Sequence, residues 1–146
     1  MTTVTTVMTR NVRTLTPKDT ISLAASAMAE LNVGVIPVSE GGKLLGMVTD
    51  RDIVLRAVAR GRDGSTPLSE VMSTDVQTAR DTDDLDSVLA GMSAGQIRRL
   101  PVVDGAGKLV GIISIGDIAS KAREEKDVGQ SLGEISAPAA SGSKAS

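Results

Sequence analysis

Two hydroxyl–carboxylate pairs carry the most specific chemistry in this sequence. Thr49 and Asp52 end the stretch Gly46-Met47-Val48-Thr49-Asp50-Arg51-Asp52-Ile53. Ser114 and Asp117 hold the same places in Gly111-Ile112-Ile113-Ser114-Ile115-Gly116-Asp117-Ile118. An apolar run crosses a glycine, reaches a hydroxyl and then meets a carboxylate. Such a pair suits two tasks. One is a helix capping box, in which hydroxyl and carboxylate each accept a backbone N–H at the start of a helix. The other is ribose binding, because an outward carboxylate accepts hydrogen bonds from two neighbouring hydroxyls. The tasks are compatible, and a helix start adds free N–H groups. The glycine in each preceding strand is a place where a flat ligand could approach the backbone.

Composition removes most other chemistry. Among 146 residues there is no Cys, His, Phe, Tyr or Trp. Thiolate chemistry, disulfides, the common zinc sites and the usual general base near neutral pH are therefore missing. No serine stands beside a base signature, and isolated carboxylates make no acid–base pair, so an enzyme is not expected. The Asp81, Asp83, Asp84 and Asp86 group reads as charge at a helix start, and no metal is expected. The net charge of -2 gives no basic field for nucleic acid, and stacking on aromatic rings is impossible. With no signal peptide and no apolar run near the ~20 residues of a membrane span, the reading is a cytoplasmic protein without a membrane partner.

Several elements must position the two pairs. Asn11 to Thr16 reads as a short strand, and Asp19 or Thr20 caps a helix with Ile21, Ala24, Ala25, Met28 and Leu31 on one face. Val35 to Val38 is a strand containing Pro37. Glu40-Gly41-Gly42-Lys43 turns, and Leu44 to Thr49 returns as a buried strand. Asp50 to Ala59 resumes helical spacing. After Gly61 the order starts again. Val76 to Thr78 is a short strand, and Leu85, Val88, Leu89 and Met92 mark a helix face. Arg99 to Val103 and Lys108 to Ser114 form a strand pair, and a helix runs from Ile115 to about Arg123. The methionines at 28 and 92 read as core. Beyond Glu124 the Ser-, Ala- and Gly-rich composition predicts a disordered tail.

The second half repeats the first. At an offset of 64 residues, Val7, Met8, Val12, Thr14, Asp19, Met28, Pro37 and Val38 meet identical residues. One extra residue in the second turn makes the offset 65, and Lys43, Leu44, Gly46, Asp52 and Ile53 then meet theirs. The division is repeat 1 over 1–60, a linker over 61–66, repeat 2 over 67–124 and a tail over 125–146. One repeat is too short to cover both sides of a three-stranded sheet, so the two must pack on each other.

The order V-M, T-x-x-P, V-x-x-h-P-V and G-h-h-[TS]-x-x-D-I, met twice over residues 7 to 123, resembles the CBS domain in its tandem form, the Bateman module of stand-alone bacterial and archaeal proteins. The resemblance implies an α/β (α+β) fold of two β-α-β-β-α repeats, packed with pseudo-two-fold symmetry through small sheets. It implies a regulatory module that binds AMP, ADP, ATP or a related adenosyl compound between the repeats, with no cofactor required. Thr49 with Asp52 and Ser114 with Asp117 would be ribose clamps. By the family's crossing, Thr49 and Asp52 would face Gln77, Arg98 and Arg99, while Ser114 and Asp117 would face Arg13, Gly34 and Val35. The paired guanidiniums suit phosphate, which favours the Thr49/Asp52 cleft for a phosphorylated ligand. Arg51 reads as a phosphate contact or a surface ion pair. Val12, Val35, Ile36, Val76, Ile97 and Leu100 are candidate walls for adenine. A homodimer, contacting through the helices after Asp52 and Asp117, and a protein effector acting in trans complete this reading. The alternative is a constitutive dimeric scaffold without a physiological nucleotide.

Overall fold

The leading segments of the two repeats exchange places, and the rest of the fold follows from that exchange. A computed structural model describes residues 2–121; the tail expected over 125–146 lies outside them. The first repeat contains helix α1 (Ile21–Leu31), strands β1 (Val35–Glu40) and β2 (Lys43–Thr49), and helix α2 (Asp50–Arg56). The second contains β3 (Ala79–Arg80), α3 (Leu85–Gly95), β4 (Arg99–Val103), β5 (Leu109–Ser114) and the helix over 115–121, here α4. β1 pairs antiparallel with β2, and β4 with β5. β3 adds in parallel beside β4.

Local chemistry sets these boundaries. The Thr20 hydroxyl accepts from Leu23 N at 3.1 Å and starts α1, while Asp19 closes the turn before it by accepting from Thr16 N at 2.8 Å. The Asp84 carboxylate does the same for α3, accepting from Ser87 N at 3.2 Å. The acidic run from Asp81 is thus a turn and a cap, since Asp83 also accepts from Arg80 N. Both helices end on a residue in left-handed conformation, Asn32 and Gln96. The buried face of α1 is Ile21, Ala24, Ala27 and Met28; the expected Ala25 and Leu31 point to solvent. In the second hairpin turn Asp104 accepts from Lys108 N and Ala106 N, which holds its carboxyl below the usual carboxylate range.

The short strand predicted at the head of each repeat is smaller than expected and lies later. In the first repeat it reduces to one parallel bridge, Leu15 with Val38. In the second it is Ala79–Arg80, after the predicted residues 76–78. Residues before these points leave the sheet to reach the other repeat. Thr9 and Ile112 exchange two backbone bonds of 2.8 and 3.0 Å, and Ser73 and Met47 exchange two of 2.9 Å. Thr3 bridges Asp84, and Pro67 bridges Thr20. Each pair maps onto the other at the repeat offset, so a pseudo-two-fold axis relates the halves. It passes between Lys43 and Lys108, which bridge each other.

The cores record the exchange. Val4 and Met8 are buried with Val88, Met92, Leu100 and Ile113 of the second repeat. Leu68 and Val71 are buried with Ile21, Met28, Ile36 and Val48 of the first. The sequence repeats are therefore not the packing units. Each core closes only with apolar side chains from the segment that leads the other repeat. On both β1 and β4 successive residues are buried, including Pro37 and Pro101, so both faces of each strand are covered.

Gly46 and Gly111 permit the exchange. A β-carbon on Gly111 would lie 2.8 Å from the Thr9 carbonyl oxygen and 2.7 Å from Met8 Sδ, and one on Gly46 would overlap the Ser73 carbonyl oxygen. The space reserved by these glycines belongs to the neighbouring backbone, which corrects the expectation of a flat ligand there. Gly46→Ala should therefore destabilise the protein by about 1–3 kcal/mol in urea unfolding. Gly91→Ala on α3, where a β-carbon meets nothing within 4 Å, should stabilise it by about 0.5–1 kcal/mol.

Candidate functional site

Strand ends meet helix starts at two equivalent corners. β2 ends on Thr49, whose side chain accepts from Asp52 N at 2.9 Å, and Asp52 Oδ2 accepts from Thr49 N at 3.0 Å. β5 ends on Ser114, whose side chain accepts from Asp117 N at 3.0 Å, and Asp117 Oδ2 accepts from Ser114 N at 3.2 Å. Both signatures are reciprocal capping boxes. In each, Oδ2 closes the cap. Asp52 Oδ1 stands 3.9 Å from Arg56 Nε, one helical turn on. Arg56 also donates to the Val71 and Met72 carbonyls at 3.4 Å each, linking this carboxylate to the exchanged leader.

Hairpin register decides which residues stand beside each pair. Val35 is opposite Thr49, and Asp50 N donates to Gly34 O at 3.0 Å. Arg99 is opposite Ser114, and Ile115 N donates to Arg98 O at 3.0 Å. The expected crossing is thus corrected for these four residues. Gly34 and Val35 lie with Thr49, and Arg98 and Arg99 lie with Ser114. The reason is topological: an antiparallel hairpin brings the start of its first strand to the end of its second. Opposed residues share a face of the sheet. Arg99 therefore accompanies Ser114, and Arg98, one residue earlier, sits against the start of α4. Both arginines are exposed, and neither side chain has a hydrogen bond or ion pair among the described residues.

The remaining candidates divide. Gln77 lines a cavity of about 300 Å³ in the second repeat, with Ala79, Ser87, Val88, Ile97 and Leu100. No bond among the described residues joins Gln77 to Thr49 or Asp52, or Arg13 to Ser114 or Asp117; Arg13 is exposed. Ile36 is only 1% exposed inside the first core, too deep for a cleft wall, whereas Val12, Val35, Val76 and Ile97 are half-buried. Arg51 is an exposed side chain whose backbone N–H goes to Asp50 Oδ1. Two residues at the corners escaped the sequence reading. Asp50 lies over Gly34, and Arg56 bridges Asp52 and the leader. The repeat offset gives the signal for both, because it sets Asp50 against Ile115 and Arg56 against Lys121.

Two capped strand–helix corners, in repeats that exchange their leading segments about an axis of pseudo-symmetry, define a tandem pair of one small α/β domain. A family model, CBS domain, matches residues 4–58 and 68–124. The chain belongs to the CBS domain family. It is 49% identical over 129 residues to the CBS domain-containing protein YhcV of Bacillus subtilis, covering 88% of this chain and 91% of that one. Among solved structures, CBSX2 in complex with AMP superposes with a TM-score of 0.76 at 26% identity, covering 86% of this chain and 99% of the other. The CBS pair of protein MJ0100, in complex with 5'-methylthioadenosine and S-adenosyl-L-methionine, gives 0.74 at 28% identity over 86% and 98%.

The capping role makes its own prediction. Thr49→Ala and Ser114→Ala each remove one capping acceptor and should each lower stability by about 1 kcal/mol, read as a shift of the urea midpoint.

Proposed function

We propose that this protein is a ligand-sensing regulatory module that binds an adenosine-containing compound between its repeats. One observation carries the reading. At both corners a single carboxylate oxygen closes the helix cap, so Asp52 and Asp117 keep a second oxygen to accept ribose hydroxyls while the cap stays intact. The complexes of CBSX2 with AMP and of the MJ0100 pair with adenosyl ligands support it. Val12, Val35, Val76 and Ile97 are half-buried apolar surfaces able to sandwich a purine. The ligand acts as a signal by binding one arrangement of the repeats better than another. An effector reads that arrangement in trans.

The ribose contact is testable by equilibrium dialysis. Without Trp or Tyr the protein is almost transparent at 280 nm, so nucleotide absorbance at 260 nm reports occupancy directly. The wild type should retain AMP. The double variant Asp52→Asn/Asp117→Asn keeps a capping acceptor at each corner and should bind roughly ten- to hundredfold more weakly. No retention of AMP, adenosine or S-adenosylmethionine by the wild type would favour a scaffold without a ligand.

The assembly we propose is a homodimer. Val54, Leu55 and Val58, on α2 and just after it, are 54%, 45% and 65% exposed, an apolar cluster that a second copy would cover. Light scattering should give twice the chain mass, and Leu55→Lys with Val58→Lys should give the monomer.

A further inference from the structure

The pseudo-two-fold axis makes each corner the control for the other, and equivalent positions carry different charge. Arg98 corresponds to Gly34 and Arg99 to Val35, at the place where the first strand of each hairpin meets the end of the second. Ile115 corresponds to Asp50, the first residue of the following helix. Asp52 corresponds to Asp117, and Arg56 to Lys121, so these positions keep their sign.

The differences face the same space. Were Gly34 given a β-carbon, it would lie 3.1 Å from Asp50 Oδ2. The carboxylate of Asp50 therefore covers the spot from which the Arg98 side chain departs in the second repeat. At the first corner two carboxylates, Asp50 and Asp52, flank an uncharged Gly34-Val35 backbone. Its cations are Arg51, exposed, and Arg56, which is directed to Asp52 and to the carbonyls of Val71 and Met72. At the second corner one carboxylate, Asp117, meets two guanidiniums whose side chains have no partner among the described residues, and the Asp50 position is apolar. Phosphate needs desolvated or convergent donors, and Arg supplies them in a fork. A like charge within a few ångströms repels it; a cation or neutral group gains or loses little.

Resting on the adenosyl-binding reading above, we infer that the two clefts take different ligand classes. The Ser114/Asp117 corner, with Arg99 on the same face and Arg98 beside it, takes the 5'-phosphate of a nucleotide. The Thr49/Asp52 corner, with Asp50 over Gly34, takes an adenosyl compound that is neutral or cationic at its 5' position. Asp50, Arg98 and Arg99 set the specificity, and Asp52 and Asp117 supply the shared ribose contact. The sequence alone had assigned the phosphate to the opposite cleft, because the arginines were grouped with Thr49.

Isothermal titration of the full chain with AMP, 5'-methylthioadenosine and S-adenosylmethionine tests the division. AMP should bind with one tight site, lost roughly ten- to hundredfold in Asp117→Asn and little changed in Asp52→Asn. S-adenosylmethionine should show the reverse. Arg99→Gln should weaken AMP while leaving methylthioadenosine unchanged, a split that a merely structural role would not give. Asp50→Asn should improve AMP binding at the first corner and weaken S-adenosylmethionine there. Equal loss of AMP in Asp52→Asn and Asp117→Asn, or greater loss in Asp52→Asn, overturns the division while leaving the adenosyl reading intact. Failure of all three compounds to bind the wild type overturns both. Unfolding curves of each variant show whether a loss reflects folding.

Discussion

The close approach of the Ser73 and Thr9 carbonyls to Gly46 and Gly111 is the constraint on which the rest depends. It lets each leading segment bond to the edge of the other repeat's long strand, two residues before the hydroxyl of the corner. Val4, Met8, Leu68 and Val71 are then buried in cores to which their own repeats do not belong. Neither repeat can form its core without the other. This reciprocity suits a sensor, since a change at one corner is transmitted through backbone shared with the opposite half. Arg56 shows the shortest such path, touching Asp52 and the carbonyls of the exchanged leader together.

A capping box and a ribose clamp usually compete as explanations of the same three-residue spacing. Here geometry removes the competition. The hydroxyl and Oδ2 satisfy the backbone, and this fixes the carboxylate in one orientation. The remaining oxygen is held in place by interactions already made for stability, so ordering it on binding costs little. The same helix start serves both folding and recognition, which explains why the signature recurs intact at both corners while neighbouring positions drift.

The drift is informative because the shared frame is so similar. Within one chain, two corners with the same caps differ at Gly34 and Arg98, Val35 and Arg99, and Asp50 and Ile115. None of these residues belongs to a core cluster. Backbone bonds alone, Asp50 N to Gly34 O and Ile115 N to Arg98 O, are equivalent in the two. Side chains at these places are therefore free to be set by what each cleft holds.

Much of this was legible in the sequence. Periodicity located α1, α3 and both hairpins. The offset of 64 and then 65 residues announced the symmetry, and the hydroxyl–carboxylate spacing announced the caps. These are local properties, fixed by residue type over a few positions. Three matters were not local, and only the tertiary structure decided them. The leading strands shrank to Leu15 and to Ala79–Arg80 because the chain before them crosses to the other repeat, and no periodicity reports where a segment goes. Gly46 and Gly111 admit backbone instead of ligand, since a glycine in a sequence marks close approach without saying what approaches. The arginines joined Ser114 instead of Thr49 because hairpin register, a matter of strand pairing in space, sets neighbours that are 15 residues apart along the chain.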